Sequence, residues 1–136
     1  MNGDAAGPLD LAAHAVIAGR RGRLLLLRRP AASEYNPERW EFPGGRIERG
    51  EGVRDALIRE VREETGLAVE PGRLLGAGEQ ERSEGRVVHL VLDSSTAGGE
   101  IFLSEEYDAY RWVTPKGLAE LPLSDWMEGW YAAQGA

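Results

Sequence analysis

The spacing of apolar residues changes from run to run along this chain, and each change predicts an element. Residues 12–17 form a short apolar run that reads as a strand, and after a turn-like stretch at 19–22 the segment 23–29 returns as a second one. Leu24, Leu25, Leu26 and Leu27 follow one another without a polar break, which predicts a strand buried on both faces. The two strands are expected to pair as a hairpin. Residues 30–39 make a loop, and 40–42 a short strand closed by Pro43 and a Gly44-Gly45 turn. Over 52–65 the period switches to that of a helix, with Val53, Ala56, Leu57 and Val61 as its packing stripe and Gly66 as its stop. Strands then follow at 72–83 and 86–93, a loop at 94–99, a short apolar piece at 101–103 and a strand at 110–113. Thr114-Pro115 starts a short helical turn reaching Leu121, and 126–133 is a terminal helix. The order predicts an α/β fold in which a mixed β-sheet is sandwiched between α-helices.

Composition narrows the class. A length of 136 residues, with 42% hydrophobic and 29% charged positions, fits one globular domain at 10–136 behind a flexible tail at 1–9. There is no cysteine, which excludes disulfides, thiolate metal sites and a cysteine nucleophile. The amino terminus carries Asp4 and Asp10 and lacks a basic start, and no apolar run is long enough for a membrane span, so a cytoplasmic protein is expected. Charge is uneven: residues 1–49 carry eight arginines against six acids, net +2, while residues 50–136 carry eight Lys or Arg against 17 acids, net −9. A basic face able to grip a nucleic acid polymer is therefore not expected, whereas a small anionic ligand is compatible once its charge is screened.

The 52–65 helix carries the candidate chemistry. Glu60, Glu63 and Glu64 are spaced i, i+3, i+4 and fall within about 100° of arc, so three carboxylates project together. Like charges at this spacing cost a few tenths of a kcal/mol per pair, and a purely structural helix would interleave lysine or arginine. The stripe of Val53, Ala56 and Leu57 lies in the same arc, directing the carboxylates toward the protein body. Carboxylates gathered at the edge of a core need a counter-charge, and a hard divalent cation with oxygen ligands supplies it. Arg59 flanks them, placed to orient one through a charge-assisted hydrogen bond.

Reading outward, Gly45 is followed by five residues, Glu51, seven more, and then Arg59-Glu60-Val61-Arg62-Glu63-Glu64-Thr65-Gly66-Leu67. In this spacing the chain resembles the Nudix hydrolases, and Trp40-Glu41-Phe42-Pro43-Gly44-Gly45 just before it resembles their MutT branch, which hydrolyses nucleoside triphosphates. The resemblance implies the Nudix fold and a Mg2+-dependent hydrolysis, with Mn2+ as the alternative ion, of a nucleoside diphosphate linked to a further group. A (d)NTP is the first substrate to expect, oxidised ones such as 8-oxo-dGTP included, giving NMP and pyrophosphate. Nucleotide sugars such as ADP-ribose are the enzymatic alternative. A catalytically silent nucleotide sensor is the other, though sensors usually lose signature glutamates and here Glu51, Glu60, Glu63 and Glu64 are all present.

The same resemblance distributes roles. Glu60 and Glu64 are the main expected metal ligands, with the Gly44 carbonyl as a further one and Glu63 either sharing the metal or acting as base. Glu106, six residues before Trp112, is expected to approach the metal cluster, with Glu105 as its neighbouring alternative. A carboxylate at the cluster's edge makes a better base than one beside the cations, which leaves Glu63 or Glu106. Arg28 or Arg29 is expected to contact the nucleotide, with Glu34 and Asn36 available in the same loop, and Phe42 or Trp40 to face it. Asp125 follows a Pro where base-reading members carry Asn or Asp, and as an isolated residue it reads as a helix cap. His14 and His89 read as packed sheet residues. The expected partner is a small nucleotide, with no nucleic acid polymer and no membrane. The chain is expected to be a monomer or homodimer, with Trp126, Trp130 and Tyr131 in the core or at an interface.

Overall fold

The computed structural model describes residues 8–134. Its centre is β1 (Leu9–Ile17), whose alternation decides the layering. Ala13, Ala15 and Ile17 enter one core with Leu57 and Val61 of α1 (Val53–Thr65), while Val16 enters a second core with Trp126, Met127 and Trp130 of α2 (Asp125–Gln134). Successive strand residues point to opposite faces, so one strand serves both cores. Burying a side chain such as Leu57 or Val61 contributes about 1.5–3 kcal/mol, which is what holds α1 against the sheet.

β1 lies inside a mixed four-stranded sheet of order β4-β1-β6-β5. It runs antiparallel to β4 (Gly44–Arg46) and parallel to β6 (Gly85–Thr96), and β6 pairs antiparallel with β5 (Val69–Arg82). A second, antiparallel sheet has the order β3-β2-β7, formed by β3 (Trp40–Glu41), β2 (Leu24–Arg28) and β7 (Ala109–Val113). The leucine run of β2 is buried on both faces as expected, Leu25 and Leu27 in the α1-side core and Leu26 in the α2-side core. The α/β sandwich with helices on both sides is the predicted one.

Several local expectations are corrected. β1 and β2 do not pair as a hairpin: they belong to different sheets, and the chain between them is tied by the bridge between Ala18 and Leu24 and by the Gly19 N–H to the Arg23 carbonyl at 2.7 Å. Both edges of β1 are already taken by β4 and β6, so β2 finds its partners in β3 and β7. The Gly44-Gly45 turn is instead strand β4, and it approaches β1 so closely that a Cβ on Gly44 would overlap the Ala13 carbonyl. The short apolar piece at 101–103 covers the end of α1: the Phe102 N–H reaches the Thr65 carbonyl at 2.9 Å, while Ile101 and Leu103 pack on the core. Of the expected tail, residues 1–7 lie outside the described residues, and Leu9 already pairs with Arg86. Trp126 and Trp130 belong to the core, with Tyr131 packed against it. Among the described residues, no helix is long and apolar enough to cross a membrane.

Candidate active site

A cleft of about 200 Å³ opens where the C-terminal half of α1 meets β4 and the segment before β7. Gly45 makes room for one of its walls, because a Cβ there would overlap the Glu60 carboxylate. One turn further along α1, Glu64 is buried and its Oε1 accepts the Gly44 N–H at 2.9 Å. The Ser104 N–H reaches the Glu64 carbonyl at 3.2 Å and the Ser104 Oγ accepts the Glu106 N–H at 3.4 Å, which fastens the Glu106 segment to the end of the helix. Glu60, Glu64 and Glu106 thus line one cleft together with Gly44.

Burial pushes the Glu64 carboxyl well above the usual carboxylate range; the Gly44 N–H opposes this, and the charges of Glu60, Glu106 and Glu41 add to it. Burial also raises Glu60, against the lowering by Arg59. These carboxylates repel one another in a partly dry place, and a divalent cation with oxygen ligands would relieve both desolvation and repulsion. The donor set therefore fits a hard metal ion. Among the described residues, no three acidic or imidazole side chains are gathered around one point. Glu60 Oε2 faces Arg59 Nη1 at 3.0 Å instead.

Arg59 organises the outer side. Its Nε and Nη2 grip Glu51 at 2.7 and 3.0 Å, its Nη1 reaches Glu60 and, at 3.3 Å, Glu63, and its Nη2 also donates to the Arg46 carbonyl at 3.1 Å. This fork pulls the Glu51 carboxyl down to about 2 and raises the guanidinium. Glu63, a predicted metal ligand or base, does not line the cleft; its side chain is 58% exposed and held by Arg59.

Between the two arginine candidates the structure distinguishes clearly. Arg29 lines the cleft, its Nε donating to Ser33 Oγ and the Tyr35 carbonyl at 2.9 and 3.0 Å, while Arg28 turns outward to Asp108 at 2.9 Å. Phe42 is not the ring that faces the cleft: its side chain is fully buried, edge-on to Trp130 at 5.3 Å, because consecutive residues of this extended run point to opposite faces. Only its carbonyl is engaged nearby, accepting from His14 Nδ1 at 2.9 Å. Asp125 opens α2 and does not line the cleft. Its Oδ1 accepts from the Trp126 N–H at 2.7 Å and Asn36 Nδ2 at 3.1 Å, and its own N–H returns to Asn36 Oδ1 at 3.1 Å.

Sequence reasoning passed over Glu41, which is buried beneath the cleft and accepts four hydrogen bonds. Ser124 Oγ and Trp126 Nε1 reach Oε1 at 2.6 and 3.2 Å; Tyr107 Oη and Arg29 Nη1 reach Oε2 at 2.6 and 3.1 Å. Burial alone would push its carboxyl up, and the His14 ring, Arg29, Ser124 and Tyr107 together hold it below the ordinary value. A lone carboxylate between Trp40 and Phe42 was the available signal. His14 and His89 are packed sheet residues, as read, and they also line the cleft. His14 Nε2 meets His89 Nδ1 at 2.8 Å, His89 Nε2 meets the Gln80 side chain at 2.8 Å, and both rings lie on Trp126. Burial lowers both imidazoles, His89 to about 2. Arg46, Arg82 and Tyr107 complete the wall.

A family model, the NUDIX domain, matches residues 8–134. The chain belongs to the NUDIX family. Among its relatives, the CTP pyrophosphohydrolase of Escherichia coli (strain K12) is 36% identical over 110 residues, 81% of this chain and 80% of that protein. The nucleoside triphosphatase NudI of Escherichia fergusonii is 31% identical over 99 residues, 65% of this chain and 70% of that one. The crystal structure of a MutT protein from Methanosarcina mazei Go1 superposes with a TM-score of 0.84 at 31% identity, covering 93% of each chain. This NUDIX protein is therefore a hydrolase of nucleotide pyrophosphate linkages, a family that generally uses divalent metal ions.

Proposed function

We propose that this NUDIX hydrolase cleaves nucleoside triphosphates, ribo or deoxy, to NMP and pyrophosphate in a Mg2+-dependent reaction, Mn2+ being the alternative ion. The observation that carries the reading is that Glu60, Glu64 and Glu106 line one cleft, whose β4 wall has no side chain at Gly44 and Gly45. The relatives named for CTP and for nucleoside triphosphates favour a triphosphate over a nucleotide sugar. Glu60, Glu64 and the Gly44 carbonyl would hold the metal, with Glu63 at the rim able to join them. When bound, it supplies charge neutralisation on the phosphates and a more acidic water.

The chain's own residues do the rest. Arg59 orients Glu60 through the hydrogen bond at 3.0 Å, itself fixed by Glu51. Glu106 lines the cleft with no arginine partner among the described residues, which suits it to take the proton of the attacking water. Arg29, anchored by Glu41, offers the positive charge that an anionic substrate needs as it enters an acidic protein.

A panel of nucleotides incubated with the protein and Mg2+, with products resolved by ion-exchange chromatography, tests the reading. Release of NMP and pyrophosphate, abolished by a chelator, is expected. NMP with a sugar phosphate would replace the triphosphate by a nucleotide sugar, and tight binding without turnover would leave a sensor.

A further inference from the structure

On the side of the cleft away from the carboxylates stands Arg82, near the end of β5, whose guanidinium is held without being neutralised. Its Nε donates to Gln80 Oε1 at 3.1 Å and its Cζ lies over the Tyr35 ring, 4.4 Å from the ring centre. Among the described residues neither terminal nitrogen of Arg82 has a hydrogen-bond or carboxylate partner, yet the residue lines the cleft. Tyr35 is fixed from two directions in turn. Its carbonyl accepts from Arg29 Nε at 3.0 Å and Ser33 Oγ at 2.8 Å, and its hydroxyl donates to Glu84 at 3.0 Å. One residue of the 30–39 loop thus touches both Arg29, through its backbone carbonyl, and Arg82, through its ring.

We propose that Tyr35 is a positioning residue for the nucleoside half of the substrate: it holds Arg82 so that the two terminal nitrogens bind acceptor atoms on the sugar and base. The inference rests on the proposed nucleotide hydrolysis. Gly44–Arg46 and Arg82 belong to the two edge strands of the four-stranded sheet; the strands are three interstrand spacings or about 14 Å apart, and Arg82 lies further along β5, opposite Gly85. Phosphates gathered at the carboxylates on the β4 side leave the nucleoside to extend across β1 and β6 toward β5. A guanidinium with its stem hydrogen-bonded and one face stacked loses little freedom on binding, and its planar fork suits paired acceptors.

The test uses steady-state kinetics and product inhibition on the full chain, comparing wild type with Y35A, Y35F, R82A and Y35A/R82A. Removing a stacked cation–aromatic contact predicts about a 5- to 10-fold rise in KM for Y35A and R82A, with kcat changed less than about two-fold. The double variant should be no worse than R82A, since Tyr35 acts only through Arg82. Y35F keeps the ring and should stay within about two-fold of wild type. Inhibition by NMP should weaken in Y35A while inhibition by pyrophosphate stays unchanged. KM effects that multiply in the double variant would overturn the inference, as would a loss confined to kcat or weakened pyrophosphate inhibition, which would assign Arg82 to the phosphates. A wild-type chain that turns over no nucleotide overturns the proposed function and this inference with it; an active wild type with any of the other contrary results overturns the inference alone. Thermal melts confirm that each variant is folded.

Discussion

Replacing Glu41 with Gln removes one charge and turns one acceptor into a donor at a point where four donors converge. If the new NH2 takes the Oε1 place, Ser124 can turn its hydroxyl to accept, but the indole N–H of Trp126 cannot. If it takes the Oε2 place, Tyr107 can adapt and the Arg29 guanidinium cannot. Either way one fixed donor faces another in a buried setting. Breaking one member out of a buried pair costs about 3–5 kcal/mol, and a hydrogen bond to a charged group contributes about 1.5–3 kcal/mol. Glutamine keeps the shape and some of the contacts, so the expected loss is about 3 kcal/mol, near 10 °C in Tm for a domain of this size. Urea unfolding at pH 7 measures it. The carboxyl sits below its ordinary value in the folded protein, so its contribution is complete above the unfolded pKa of about 4.3 and is lost as pH falls through the folded value. The gap between wild type and E41Q should therefore close on acidification below about pH 4. Because Arg29 loses its anchor, KM for the nucleotide should rise several-fold. A variant within about 0.5 kcal/mol of wild type at pH 7, or a gap that widens in acid, would refute the four-donor account.

The other expectations concern the carboxylate side. Glu64→Gln should cut metal-dependent kcat by about 100-fold or more while leaving the metal-free Tm unchanged or higher, because it removes a buried charge and keeps an acceptor for the Gly44 N–H; calorimetry and turnover, run together, read both. Gly45→Ala puts a methyl where the Glu60 carboxylate lies, in a strand whose backbone accepts alanine. It should lower kcat/KM at least about ten-fold with less than about 1 kcal/mol of destabilisation, and full activity would remove Glu60 from the site. Glu51→Gln should flatten the pH dependence of stability between about pH 4.5 and 2, the interval from the unfolded pKa to the depressed folded one, as measured by denaturant unfolding across that range.

Local features were legible in the sequence and pairings were not. Helix α1 follows from the spacing of Val53, Ala56, Leu57 and Val61, with Gly66 closing it at φ 79°, and the acidic cluster follows from the same period. The double burial of β2 follows from four consecutive leucines. The expected β1–β2 hairpin failed because sequence neighbours were assumed to be sheet neighbours. β1's true neighbours, β4 and β6, come from residues 44–46 and 85–96. The choice between Arg28 and Arg29 was open for a similar reason: Arg28 is the last β2 residue and turns to Asp108, 80 positions away, a contact no local pattern encodes. Glu41 is the extreme case, since its four donors come from positions 29, 107, 124 and 126.

These long-range contacts explain how a chain of net charge −7 can present a site for an anion. On the α1 side, Arg59 is shared among Glu51, Glu60 and Glu63, so its single positive charge is spent on fixing geometry and leaves Glu64 and Glu106 without an arginine partner among the described residues. Burial raises Glu64 first, the charges of Glu60, Glu106 and Glu41 add to it, and a divalent cation becomes favourable there. On the opposite side the balance is reversed: Glu41 is the buried acid, while Arg29 and Arg82 border the cleft. A cleft divided in this way attracts a cation at one end and an anion along the other. A nucleoside triphosphate with its metal carries both in one molecule, whereas free phosphate or a bare metal ion matches only half of it.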